Sequence, residues 1–97
     1  MSEKALLELA DHIAQNLQNE VLGTHVAYGE LTLLARSEHI QKVLTFLRDD
    51  QSCQFKQLID VCGVDYPERA KRFDVVYHLL SLQFNTRIRV KVETDED

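Results

Sequence analysis

The sequence predicts an α+β domain of two layers, two helices on one face of a mixed five-stranded sheet, in the order α-β-β-α-β-β-β. Three observations predict it. Apolar residues recur at helical spacing in two separate stretches, Leu6 to Leu17 and Ile40 to Leu47. They alternate with polar residues in two hairpin-like stretches, Glu20 to Ala35 and Phe73 to Glu93. Ninety-seven residues, 44% hydrophobic and 28% charged, suit one core and hold too little material for two, so residues 1–97 are read as a single domain.

The first helix starts at Ser2, a side chain able to cap the free amides of the first turn, with Glu3 where the helix dipole favours an acid. Leu6, Leu9, Ile13 and Leu17 share one side, and Asp11, Gln15 and Gln18 the other, giving an amphipathic helix of about four turns. From Glu20 the period becomes two. Leu22, Thr24 and Val26 fall on one face of a strand, and Leu31, Leu33 and Ala35 answer them if the chain reverses at Tyr28-Gly29, where Gly29 supplies positive φ. A two-residue loop sets Val26 opposite Leu31 and Thr24 opposite Leu33, leaving His25, Glu30 and Thr32 on the wetter face.

Ser37 is expected to cap the second helix, with Glu38 in its first turn, Ile40, Val43, Leu44 and Leu47 on its apolar stripe and Arg48 near its C-terminal end. A polar exit at residues 49–52 leads to Phe55 and Leu58, which are expected to tuck into a turn before an extended run from Ile59 to Val64. Pro67 ends that run, because it lacks an amide donor and keeps Tyr66 out of helical conformation. In the last hairpin Phe73, Val75, Tyr77 and Leu79 face Ile88, Val90 and Val92. An even-length loop centred on Phe84-Asn85 pairs Leu79 with Val90 and Tyr77 with Val92, whereas an odd loop sets apolar residues against cations. The second face then carries Val76, His78, Leu80 and Leu82 beside Arg87, Arg89, Lys91 and Glu93.

The formal net charge of −5 argues against general nucleic-acid affinity. Its distribution is uneven, with six basic residues (Arg69, Lys71, Arg72, Arg87, Arg89, Lys91) against the single acid Asp74 between positions 69 and 91. Such segregation suits a partner-facing surface. No apolar run approaches the roughly 20 residues that span a bilayer, and the acidic, amphipathic beginning differs from a secretory signal. The expected location is the cytosol or the cytosolic side of a membrane complex. The acidic end from Glu93 to Asp97 reads as a solvated tail or as a cut inside a longer protein.

Catalysis finds little support. Gly23, Gly29 and Gly63 do not make a phosphate-cradling loop or a dinucleotide fingerprint. His12, His25, His39 and His78 are scattered without metal-ligand spacing, and Cys53 and Cys62 lie nine apart, too few for an iron-sulfur cluster and outside zinc spacing. Asp60 and Asp65 fall on opposite sides of an extended run, unlike an acid-base pair. No catalytic, cofactor-binding or metal-ligating residue is therefore expected, and both cysteines read as reduced, partly buried thiols.

Two features remain for docking. The turn from Val64 to Arg69 is either a strand stop in which Asp65 accepts backbone amides, or a contact element with Tyr66 and Arg69 as exposed anchors. On the second hairpin face, Leu80, Leu82, Arg87 and Arg89 are either arginine stems covering leucines or an association surface, and the latter reading is favoured. The expected partner-binding set is Asp65, Tyr66, Arg69, His78, Leu80, Leu82, Arg87, Arg89 and Lys91. The alternative is a free-standing adaptor or RNA-binding domain using the same basic hairpin, which the acidic total and the lack of interleaved aromatics disfavour.

The runs Leu58-Ile59-Asp60-Val61-Cys62-Gly63-Val64-Asp65-Tyr66-Pro67 and Arg72-Phe73-Asp74-Val75-Val76-Tyr77-His78-Leu79-Leu80-Ser81-Leu82, then Asn85 and Arg87-Ile88-Arg89-Val90-Lys91-Val92, resemble the 30-kDa subunit family of respiratory complex I, which bacteria carry in their NADH-quinone oxidoreductases. The likeness is dense from Leu58 to Thr94 and extends in element order over Ser2 to Asp50. The resemblance implies two helices on a mixed five-stranded sheet. It further implies a peripheral-arm subunit bound to the 49-kDa-type and neighbouring iron-sulfur subunits, on the cytoplasmic side of the bacterial inner membrane or the matrix side in mitochondria. FMN, iron-sulfur clusters and quinone would belong to those partners and none to this chain. The family continues into Trp-Phe-Glu-Arg-Glu-type and Arg-Ile-Leu-Thr-Asp-Tyr-Gly-type segments beyond Asp97, so the resemblance implies an N-terminal part of a longer subunit.

Overall fold

The computed structural model describes residues 2–70 and 73–94; Lys71 and Arg72 of the basic segment and the acidic end 95–97 lie outside the described residues. The elements are α1 (Glu3–Asn16), β1 (Val21–Ala27), β2 (Glu30–Ala35), a 3₁₀ turn (Ser37–His39), α2 (Ile40–Asp49), β3 (Gln57–Asp65), β4 (Phe73–Ser81) and β5 (Thr86–Thr94). This is the expected α+β order. The strands form one sheet in the order β1-β2-β5-β4-β3, antiparallel throughout except for the parallel central pair β2 and β5. The chain leaves β2 through α2, starts again at the far edge with β3, and folds back through β4 so that β5 closes on β2. No helix among the described residues is long and apolar enough to cross a membrane.

One core joins the layers. Leu6, Leu9, Ala10, Ile13 and Leu17 from the first helical segment, with Val43 and Leu47 from α2, pack on Leu31, Leu33, Ala35, Leu79, Ile88, Val90 and Val92 of the sheet. Ser2 caps α1 as expected, its Oγ accepting the Ala5 amide at 3.1 Å. Ser37 does not cap α2. Residues Ser37–His39 wind as a 3₁₀ turn, α2 begins at Ile40 after His39 without a side-chain cap, and the Ser37 hydroxyl instead donates to Glu38 at 3.4 Å.

The first hairpin has the expected two-residue loop and register, with Val26 opposite Leu31 and Thr24 opposite Leu33. Its start differs from simple alternation. The register shifts between Val21 and Gly23, so Val21 enters the core at 8% exposure while Leu22, expected inside, is 55% exposed. An extra residue in one strand reverses the facing of everything before it. Both loop residues have positive φ, 54° at Tyr28 and 75° at Gly29, the conformation of a type I′ turn. Tyr28 occupies that left-handed region fully exposed, where little burial offsets its strain. Tyr28→Asn is therefore expected to stabilise the domain by about 0.5 kcal/mol, because asparagine tolerates this region better. An unchanged or lowered urea midpoint would count against the turn assignment.

The last hairpin keeps the expected facing but not the expected pairs. Leu79 lies opposite Ile88, Tyr77 opposite Val90 and Val75 opposite Val92, two residues away from the register with Leu79 on Val90. Ser81 and Thr86 close a four-residue loop whose last residue, Asn85, has φ 49°. The Ser81 hydroxyl accepts the Phe84 amide at 3.3 Å, and the Thr86 hydroxyl donates to the Phe84 carbonyl at 2.9 Å. These local bonds move the reversal toward Gln83-Phe84. Leu82 accordingly leaves the strand face and sits in the loop, 68% exposed.

Phe55 is buried as expected, its amide bonding the Leu47 carbonyl at 2.8 Å, but Leu58 belongs to β3 and is 54% exposed. No strand pairs with the outer edge of β3 among the described residues, so Leu58, Ile59, Val61 and Val64 all remain substantially exposed.

Candidate partner-binding face

The sheet's two faces are chemically unlike. The residues that pair with core positions on one face alternate with a second set on the other: Glu30 and Thr32 from β2, Arg87, Arg89 and Lys91 from β5, Asp74, Val76, His78 and Leu80 from β4, and Asp60 and Cys62 from β3. Strand pairing sets His78 between Arg89 and Asp60, and Leu80 between Arg87 and Gln57. A shallow cavity of about 280 Å³ opens here, lined among others by Glu30, Ile59, Asp60, His78, Arg87 and Arg89. Its walls mix both charges with aliphatic carbon.

The expected docking residues fall into two groups. At one end Asp65 terminates β3 opposite Phe73, and the Tyr66 carbonyl accepts the Arg69 amide at 3.0 Å to close the turn. The Arg69 guanidinium stacks 4.0 Å from the Tyr66 ring centroid and donates to Asp74 at 2.5 Å. Asp74, only 2% exposed, also pairs with Lys91 at 3.3 Å. Arg69 and Lys91 thus neutralise a buried carboxylate, and Tyr66 stacks on a cation already engaged inside the chain. Asp74 is the reason; it is the lone acid in a basic stretch, opposite Glu93 in the hairpin and reaching Lys91 diagonally, a contact that the sequence did not make legible.

At the other end lie His78, Leu80, Leu82, Arg87 and Arg89. Arg89 pairs with Glu30 across the β2–β5 junction. Arg87 is exposed and has no ion pair with a described residue. Leu80 is half-buried beside it and Leu82 projects from the adjoining loop. Neither leucine joins the core beneath the helices.

Other polar contacts lie outside the expected docking set. Lys42 donates to the nearly buried Glu20 at 2.9 Å, and that hydrogen bond holds the Glu20 carboxyl below its ordinary pKa. Cys62 donates to Asp60 at 3.2 Å, which raises the thiol pKa. His12 and Asp50 meet at 2.9 Å, and Cys53 Sγ lies within 4.8 Å of the same carboxylate, its thiol pushed up to about 12 first by burial and then by the neighbouring Asp50. Burial opposes charge on Asp50, but the hydrogen bonds with His12 and from the Ser52 amide, with the nearby Cys53, outweigh it and leave its pKa lowered. The sequence separation of His12 from this turn hid the cluster from pattern reading.

The fold and the runs around the last hairpin have counterparts in known proteins. A family described as "Respiratory-chain NADH dehydrogenase, 30 Kd subunit" matches residues 33–97. A subunit of the NADH-quinone oxidoreductase of Xanthobacter autotrophicus is 61% identical over 95 residues, covering 98% of this chain and 46% of that protein. Its counterpart in Caulobacter vibrioides is 69% identical over 77 residues, covering 79% of this chain and 39% of the relative. A chain of the membrane-bound sulfane sulfur reductase, an archaeal respiratory membrane complex, shares the fold with a TM-score of 0.77 at 20% identity, over 94% of this chain and 51% of that one. The chain spans about half the length, or less, of the curated relatives it matches. Since the matched region runs from β2 through the last hairpin, this chain belongs to the family of the 30-kDa subunit of respiratory-chain NADH dehydrogenase.

Proposed function

We propose that this chain is a non-catalytic structural part of the peripheral arm of a proton-translocating NADH:quinone oxidoreductase, and that its open sheet face docks on a 49-kDa-type subunit and neighbouring iron-sulfur subunits. In this reading FMN, the iron-sulfur clusters and quinone are held by those partners, on the cytoplasmic side of the bacterial inner membrane or the matrix side in mitochondria. The chain contributes position: a rigid sheet keeps cluster-bearing neighbours at fixed spacing, and catalysis proceeds in them.

The observation that carries the proposal is the patch of Leu80, Leu82 and Arg87, where aliphatic surface and a guanidinium without an ion pair among the described residues lie side by side away from the helical layer. An exposed leucine and a half-buried one beside an arginine suit a protein interface, in which the guanidinium finds a carboxylate or carbonyl and the leucines lose water. RNA binding is less suited, because Arg69 and Lys91 are spent on Asp74 and Arg89 on Glu30.

The test is Arg87→Glu combined with Arg89→Glu in the complex-forming subunit. Assembly into the complex is expected to fall at least tenfold by co-purification while circular dichroism of the domain is preserved. Undiminished assembly with a folded domain would remove this face from the interface.

A further inference from the structure

We propose that His12, Asp50 and Cys53 form a binding site for a divalent cation of the zinc class, clamping α1 to the turn that follows α2. His12 Nε2, an Asp50 carboxylate oxygen and Cys53 Sγ all lie within 4.8 Å of one another. Tetrahedral zinc, with bonds of about 2.0 to 2.3 Å, sets its ligand atoms roughly 3.5 Å apart. The imidazole and carboxylate, now 2.9 Å apart, need only open slightly, and the sulfur needs to close by little more than about 1 Å at most.

The donors are held in place before any ion arrives. The Cys53 and Gln54 amides both bond the Asp50 carbonyl at 3.0 Å, the Ser52 amide holds Asp50 Oδ2 at 3.0 Å, and the Phe55 amide returns to Leu47. His12 is fixed by α1 and lies edge-tilted against Phe46, with ring centroids 6.0 Å apart. Preorganised donors lose little entropy on binding. One nitrogen, one oxygen and one sulfur select zinc-like cations over magnesium or calcium, which prefer oxygen shells. Cys53 is fully buried whereas the His12 side chain is 37% exposed, so the imidazole side gives entry and room for a water as fourth ligand. On binding, the thiol releases its proton to solvent, His12 ligates through an unprotonated Nε2 with its ring proton on Nδ1, and the cation takes the position between His12 and Asp50.

Cobalt(II) reports on the site directly, since a thiolate ligand gives it an intense charge-transfer band. The full 97-residue chain carrying Cys62→Ser, in which Cys53 is the remaining thiol, is stripped with chelator and titrated with cobalt, then with zinc. One equivalent of cobalt is expected to raise the band, zinc to displace it, and excess zinc to raise the thermal midpoint. His12→Gln, a half-exposed position that leaves the core intact, is expected to weaken binding at least tenfold. Absence of the band at one equivalent, or a band indifferent to His12→Gln, would overturn the site.

Discussion

Truncating Leu33 to alanine is expected to cost about 3 kcal/mol. Leu33 is fully buried in the central pair of strands, between Thr24 of β1 and Val90 of β5, beneath the layer built from α1 and α2. Removing its terminal carbons forfeits their transfer from water and leaves a void that strands paired on both sides cannot collapse to fill. A domain of this length is stable by about 5 to 15 kcal/mol, so the loss takes about a fifth or more of the margin. Urea unfolding followed by circular dichroism measures it through a lowered midpoint at constant slope. The matched comparison is Leu22→Ala, where an exposed side chain is expected to cost no more than about 0.5 kcal/mol. Equal losses at the two positions would mean that the shift between Val21 and Gly23 is absent and that Leu22 faces inward.

Asp74→Ala is expected to cost about 2 kcal/mol, while Asp74→Asn costs less because it retains an acceptor for Arg69. The carboxylate is nearly sealed from water, and its hydration is replaced by two cations, Arg69 at 2.5 Å and Lys91 at 3.3 Å. Removing it breaks charge-assisted bonds that bridge the loop before β4 to β5. The loss stays below that of a fully buried ion pair, because both cations are about one third exposed and rehydrate when released. A double-mutant cycle with Lys91→Met isolates the contact: a coupling below about 0.3 kcal/mol would show that Lys91 merely lies near the acid.

Helical stripes were legible where a single residue error does no harm. Leu6, Leu9, Ile13 and Leu17 identify the buried side of α1 however its ends are drawn, and Val43 and Leu47 do the same for α2. Strands are less forgiving, since their period of two turns an extra residue into a reversal, as Leu22 demonstrates. The last hairpin shows the intermediate case. Parity alone assigned Leu79, Val90 and Val92 to the core and Leu80, Arg87 and Arg89 to the opposite face, but parity is blind to a shift of two, and the Ser81, Phe84 and Thr86 bonds chose between registers.

The candidate docking set was readable as residues and not as a circuit. Which cation is spent internally depends on Asp74 and Glu30, partners brought close by strand pairing, and this separates Arg69, Lys91 and Arg89 from Arg87.

Two helices, a mixed sheet, the facing of nearly every side chain and the family all follow from the order of residues along the chain, because periodicity and local motifs are properties of near neighbours. The edge position of β3, the consumption of three cations by internal acids, and the meeting of His12 with Asp50 and Cys53 came from folding alone. Those depend on contacts between distant segments, and side-chain chemistry reads the same along the chain whether or not folding supplies a partner.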